Sequence, residues 1–405
     1  MQLNSWLYEL GGQEKMRILI APDSYKGSLS SKEVADALER GIKKVVKDVD
    51  IIKIPMADGG EGTVETLISA VGGEIVKARV IGPLGEEVNA TFGILKDGKT
   101  AIIEMAKASG LPLVPPEKRN PMITTTYGTG QLIKKALDLG CGRIVMGIGG
   151  SATNDGGVGM AQALGVKFLD EKGQDIGFGG GELSRIAKID NTGIDERIKT
   201  AKIEVACDVA NPLCGPDGAA YVYGPQKGAD ENMVKILDDN LAHLADVVER
   251  DLGRDIRNIP GAGAAGGLGA GLVAFLNAEL KKGIDIVLNV TDFEKYVKKA
   301  DLVVTGEGQI DKQILNGKTV YGVCKVAKKY GVPVIAVVGS IRDDAYELYD
   351  YGIDGIESII DKPMSLEEAF QKADLLVERA GERLFRILLI DVQNKQKNYK
   401  INEFF

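Results

Sequence analysis

The chain has 405 residues, 44% of them apolar and 27% charged, with 50 basic against 58 acidic side chains and a formal net charge of -8. That length exceeds what one growing core serves, so two α/β domains are expected, and the apolar content excludes a disordered chain. The acidic balance repels nucleic acid and anionic lipid, while four cysteines (Cys141, Cys207, Cys214, Cys324) without a C-x-x-C pair point to free thiols in a reducing, cytoplasmic setting.

Residues 1–15 lack a basic segment, an apolar core and a small-residue cleavage site, which excludes a secretory signal. They read as a leader or an added extension ahead of Met16. Residues 17–21, RILIA, predict the first strand; a loop with Asp23 and Lys26 follows. Ser30 or Ser31 then caps a helix running to about Val46, with Glu33 in its first turn. Residues 88–106 read as an antiparallel hairpin turning at Asp97 and Gly98. Beyond it, glycine-rich loops interrupt short strands and helices.

Residues 259–278 form the one long uncharged run, Gly/Ala-rich and too weakly apolar to cross a membrane. DLVVTG (301–306), VPVIAVVGS (332–340) and IDGIESII (353–360) predict three further strands separated by helices. The tail after Asp391 is polar enough to be loosely ordered. Strands alternating with helices at both ends are the pattern of parallel βαβ units. The expected α/β architecture is a flavodoxin-like (Rossmann-like) domain built from both termini (16–80 and 291–390), with an inserted mixed α/β domain (81–290) facing it across a cleft.

Two glycine patterns fail on context. GILKDGKT (93–100) has the spacing of a phosphate loop but spans the hairpin turn instead of joining a strand to a helix. GAGAAG (261–266) has the dinucleotide spacing, yet no apolar strand runs into it. Gly263 and Gly266 there remain open to two readings, tight helix packing or a contact to nucleotide phosphate.

The strongest local signal is RIVMGIGGSATNDGGVGM (143–160): a strand, a glycine-rich turn, then a helix. Such a turn offers backbone N–H groups to an anion at Gly149 and Gly150, with Ser151, Thr153 and Asn154 as side-chain donors and Asp155 for a metal or a substrate hydroxyl. The alternative is a capped helix start.

Acidic residues recur at loop positions: Asp23, Asp58, Glu61, Glu104, Asp208, Glu307 and Asp311. Residues just beyond the carboxyl ends of parallel strands line the ligand crevice, and phosphoryl transfer needs carboxylates with cations nearby. Lys26 and Lys227, in Gly/Pro/Ser loops, are the favoured lysines, ahead of Lys318. The single histidine, His243, sits in a helical stretch, which removes Ser-His-Asp hydrolysis and histidine-based zinc sites.

The blocks IAPDSYKGSLSS, PMADGGEGTVE, IEMAKASGL, TTTYGTGQLI, GIGGSATNDGGVGM, VACDVANPLCGPDGA, GPQKGA, PGAGAAGGLGAGL and VTGEGQIDKQ, taken in order, resemble the successive signatures of type I glycerate kinases from about Ile18 to Gly339. The resemblance implies phosphorylation of D-glycerate by ATP with Mg²⁺, giving 2-phosphoglycerate, in a cleft between two domains. It weakens before Met16 and in the C-terminal region.

On that reading Ser151, Thr153 and Asn154, with Lys26 or Lys227, would bind phosphate or the substrate carboxylate. Asp208 or Asp311 with Glu307 would place Mg²⁺, and Asp23 or Asp155 would accept the glycerate hydroxyl proton. The partners are then small molecules, with neither nucleic acid nor membrane and with a homodimer allowed. Competing readings are a kinase forming 3-phosphoglycerate, an NAD(P)-dependent oxidoreductase using Gly261 to Gly266, and a non-catalytic hydroxy-acid binder.

Overall fold

In the computed structural model, residues 15–390 are described; the rest of the leader and the tail from Asp391 lie outside the described residues. β1 (Met16–Pro22) is a near-continuous apolar run, the composition of a strand covered on both faces. α1 (Ser31–Val45) follows, and Ser30 and Glu33 close a reciprocal capping box at its start. β2 (Val49–Lys53) then leads to α2 (Thr63–Val71) and to β3 (Gly73–Ile81), β4 (Glu87–Leu95) and β5 (Thr100–Glu104). Asp97 accepts from the backbone of Lys99 and Thr100 and from the Thr100 hydroxyl, so the β4–β5 connection is a locally bonded turn.

α3 (Ala106–Ser109), α4 (Tyr127–Asp138), β6 (Arg143–Gly147) and α5 (Val158–Ala163) come next. They are followed by β7 (Lys167–Leu169), β8 (Lys188–Asp190), β9 (Lys202–Ala206), α6 (Ala219–Tyr223), α7 (Glu231–Leu252), α8 (Leu268–Leu276) and β10 (Glu279–Lys281). The chain closes with α9 (Gly283–Val290), α10 (Phe293–Val297), β11 (Leu302–Ile310), α11 (Thr319–Lys329), β12 (Val334–Ile341), β13 (Gly355–Ser358), α12 (Leu366–Gln371) and α13 (Ala373–Leu388). No helix among the described residues is long and apolar enough to cross a membrane.

The chain divides into two compact units, Met1–Ala57 with Val287–Phe405, and Asp58–Ile286. The terminal unit holds a five-stranded sheet in the order β13-β12-β11-β1-β2, every neighbouring pair parallel. Counted within the unit this is the 2-1-3-4-5 order of flavodoxin-like folds, whose strand order reverses between β1 and β11. α1 and α13 cover one face, burying Val34, Leu38, Ile42, Leu376, Val377 and Phe385 with the sheet. Gly41 lets them approach, because a Cβ there would collide with the Glu378 carbonyl.

The central unit has a six-stranded sheet, β10-β9-β6-β5-β4-β3, parallel from β10 to β5 and antiparallel from β5 to β3, plus the β7-β8 pair. Its core gathers Phe92, Ile103, Met146, Phe168 and Leu244. The unit begins at Asp58, ahead of the residue 81 expected from sequence. β3 accounts for residues 73–81, pairing with β4 residue by residue from Gly73↔Leu95 to Ile81↔Glu87, and α2 ahead of it is tied to β5 by the bond from Val64 N to Glu104.

Candidate functional site

In the central unit, parallel strands β6 and β9 deliver their carboxyl ends to one cavity of about 390 Å³, lined by Asp58, Gly149, Gly150, Ser151, Asp208 and Lys227 among others. That size suits a small molecule. Close packing builds its floor: a Cβ on Gly147 would meet the Gly59 carbonyl, and one on Gly283 would meet the Asp58 carbonyl. Gly149 and Gly150 are exposed, and a Cβ on Gly149 would enter open space. The loop is tied down from behind, where Leu111 N–H donates to Gly150 O at 2.8 Å and Ala152 N–H to Ser109 O at 3.0 Å. Its apex is therefore held open to the cavity.

Asp155 is not among the residues that line the cavity. Oδ2 accepts from Thr126 N at 2.8 Å, Thr126 Oγ1 at 2.8 Å and Gly159 N at 3.3 Å, and Oδ1 accepts from Gly157 N at 3.2 Å. Thr126 Oγ1 in turn accepts from Met160 N at 2.9 Å. The residue is 1% exposed, and burial pushes its carboxyl upward against those bonds. Asp155 is thus a buried cap for α5, and the expectation that it takes a substrate proton is corrected, since its oxygens are committed to the protein. For the same reason the N–H groups opening α5 are satisfied internally and are not offered to an anion.

Lys227 is buried too, at 1% exposure, and its Nζ donates to Thr153 O at 2.7 Å. Burial pulls its ammonium down to about 7, against the attraction of Asp155. Thr153 and Asn154 are fully buried, and Thr153 Oγ1 with both amide atoms of Asn154 find no protein partner. They stand behind the cavity wall, whereas Ser151 forms part of it.

Gly263 and Gly266 pack closely against protein backbone, which favours the packing reading of the two left open by the sequence. A Cβ on Gly263 would collide with Pro212 O, and one on Gly266, at φ +69°, with Thr153 O. The neighbouring Ala264 and Ala265 reach the cavity instead, Ala265 at the left-handed φ of 54°. Among the described residues no strand precedes this segment between β9 and α8, so a dinucleotide fingerprint is not built here.

Asp208 lines the cavity with its residue surface exposed, and its carboxylate accepts from Gly283 N at 3.0 Å. Partial desolvation of the carboxyl group pushes it up, and the nearby Asp58 adds to the rise. Glu104, an expected loop acid, instead accepts from Val64 N at 3.0 Å and caps α2. Sequence reasoning passed over Cys207, Tyr223 and Ala265, which also line the cavity. Cys207 directly precedes Asp208, and that adjacency was the available signal.

In the terminal unit the carboxyl ends of β1 and β11 meet at the reversal of strand order, where open parallel sheets bind ligands. Asp23 N–H donates to Gly306 O at 2.8 Å, Asp23 Oδ1 accepts from Ser24 N at 2.6 Å, and Oδ2 accepts from Thr319 Oγ1 at 2.5 Å. Tyr25 OH pins the same loop to Val337 O at 2.7 Å. Glu307 Oε1 is buried without a partner. Burial pushes the Glu307 carboxyl up to about 8, with Asp23 and Asp311 adding to the rise and Lys318 and Lys26 opposing it.

Asp311 accepts from Gln313 N at 2.9 Å and caps the short turn Lys312–Asn316. Among the described residues no group of three or more His, Cys, Asp or Glu is arranged to hold a metal ion. Of the three expected metal carboxylates, Asp208 belongs to the central unit, and Glu307 and Asp311 to the terminal one. A buried carboxylate oxygen without a partner, with a second carboxylate nearby, is a hard oxygen-donor set that fits Mg²⁺, which is commonly held by one or two carboxylates plus substrate phosphates. His243 is a packed helix residue, its Nε2 at 2.8 Å from Ile186 O.

Residues 18–389 match the Glycerate kinase family. A protein of Bacillus subtilis (strain 168) named glycerate kinase is 57% identical over 366 residues, covering 90% of this chain and 96% of that one. A protein of Escherichia coli (strain K12) named glycerate 2-kinase is 52% identical over 379 residues, covering 94% of this chain and all of its own. A crystal structure from Salmonella typhimurium LT2, assigned as a glycerate kinase 2, has a TM-score of 0.87 at 48% identity and covers 94% of this chain and 100% of its own.

Proposed function

Because the chain belongs to the glycerate kinase family, we propose that it transfers the γ-phosphate of ATP to D-glycerate, giving 2-phosphoglycerate and ADP. The observation that carries this reading beyond the family is the group at the β1–β11 reversal. There a buried, unpartnered oxygen of Glu307 sits among the charges of Asp23, Asp311, Lys26 and Lys318. Phosphoryl transfer calls for this mixture, with carboxylates to orient a hydroxyl and a cation, and lysines to offset the charge of the migrating group.

In this reading Asp23 accepts the proton of the attacking hydroxyl, and Lys26 balances charge on the phosphates. Glu307 and Asp311 would hold Mg²⁺, which supplies neutralisation of phosphate oxygens when bound. In the central cavity the N–H groups of Gly149 and Gly150 and the hydroxyl of Ser151 receive anionic oxygens of a ligand, and Asp208 accepts from its hydroxyl groups. Lys227 and Asp155 act from behind by holding the loop. Four free thiols fit a cytoplasmic setting.

The test is ADP release from ATP, Mg²⁺ and D-glycerate, with phosphorus NMR of the product. Glycerate-dependent ADP with a 2-phosphate signal is expected. A 3-phosphate signal would keep the kinase and overturn its regiochemistry, and no glycerate-dependent ADP from folded protein would overturn the reading.

A further inference from the structure

Thr319 is buried with no exposed surface and occupies the first position of α11, directly after Lys318, and the roles above leave it unused. A threonine at a helix start ordinarily serves its own helix, bonding to a nearby backbone group. Here α11 has no side-chain cap bond, and the Thr319 hydroxyl instead reaches a residue 296 positions away, donating to Asp23 Oδ2 at 2.5 Å.

The two oxygens of Asp23 are thus directed by different elements, Oδ1 by Ser24 N–H in its own loop and Oδ2 by the start of α11. The threonine itself has little freedom: it is β-branched and enclosed. We infer that Thr319 is a positioning residue, whose hydroxyl sets the plane of the Asp23 carboxylate so that a lone pair faces the substrate hydroxyl. This role rests on the kinase reading and on Asp23 as proton acceptor. Small errors in the placement of such a group are costly in rate, because reacting atoms must already lie near contact distance.

The test uses the full chain with Thr319→Val, which removes the hydroxyl at nearly constant shape, Thr319→Ser, which keeps it, and Asp23→Asn. With glycerate and ATP as substrates, Thr319→Val is expected to lower kcat by about tenfold or more while both KM values stay within about threefold, since only the aim of the acceptor is lost. Thr319→Ser should restore most of the rate. Thr319→Val combined with Asp23→Asn should fall no further than Asp23→Asn alone, as expected when one residue acts through another.

Should Val perturb folding, seen as a lowered melting temperature, Thr319→Ala carries the same comparison. A Val or Ala variant as active as the wild type, a Ser variant as impaired as Val, or additive losses in the double variant would each overturn the positioning role. A folded wild type without glycerate-dependent ADP would overturn the kinase reading, and this role with it.

Discussion

Lys227→Met tests whether the loop of the central unit is held by a buried lysine that is largely uncharged above neutral pH. Met keeps the length and packing of the stem while removing the ammonium. Burial pulls Lys227 from its ordinary 10.5 to about 7, so between those values the unfolded chain holds a proton that the folded chain does not. Stability therefore rises with pH across this window, by about 1.4 kcal/mol per unit at its steepest and by about 4–5 kcal/mol at most over the whole span.

The Met variant has no such group, so the difference in unfolding free energy, wild type minus variant, should grow by about 1 kcal/mol per unit from about pH 8 to about pH 10. At neutral pH the variant also gives up the bond to Thr153 O, at a cost of about 1–3 kcal/mol. Guanidinium unfolding of the full chain, followed by far-UV circular dichroism at several pH values, measures that difference, because every other titrating group is common to both proteins. Curves that stay parallel from neutral to alkaline pH would refute the argument, since they would mean that Lys227 carries its charge in the folded chain as readily as in the unfolded one.

Asp155→Asn places an amide where four donors converge; a loss of about 2–4 kcal/mol in unfolding free energy is expected, and an unchanged melting temperature would show that the cap is dispensable. Gly266→Ala forces a side chain against Thr153 O at a positive φ and should destabilise by more than about 2 kcal/mol. Gly149→Ala, with open space around its Cβ, should leave the melting temperature unchanged and weaken ligand binding in a titration; equal effects from the two glycines would contradict the packing argument. Glu307→Gln should raise the Mg²⁺ concentration for half-maximal turnover by at least about tenfold, and an unaltered Mg²⁺ dependence would remove Glu307 from the metal role.

Local features were legible in the sequence where the physics is local. The Ser30–Glu33 box, the Asp97–Gly98 turn and the apolar run of β1 each declare themselves within a few residues. So did β11 and β12 of the terminal unit, because strands buried on both faces must be continuously apolar, whereas the less buried edge strand β2 was not read from the sequence. β3 was missed for the complementary reason. It is an edge strand of mixed character, with Glu74, Lys77 and Arg79 among its nine residues, and only its pairing with β4 makes it a strand. That pairing places residues 73–81 in the central unit, which begins at Asp58.

The candidate site divides in the same way. The sequence by itself determined which residue types were available: small residues at Gly149 and Gly150, carboxylates at Asp23, Asp208 and Glu307, and lysines at Lys26 and Lys227. Which way those groups face was decided only by tertiary structure. Asp155 reads as a loop acid until Thr126, 29 residues earlier in the chain, arrives to bind it. Gly263 and Gly266 stay open between tight packing and a phosphate contact until Pro212 and Thr153 are seen to occupy the space in front of them. Asp23 becomes a fixed acceptor only when Thr319 is brought beside it from 296 positions away. The physical reason is common to all of these: a side chain's chemistry is a local property, whereas its desolvation and its bonding partners belong to whatever the fold packs against it.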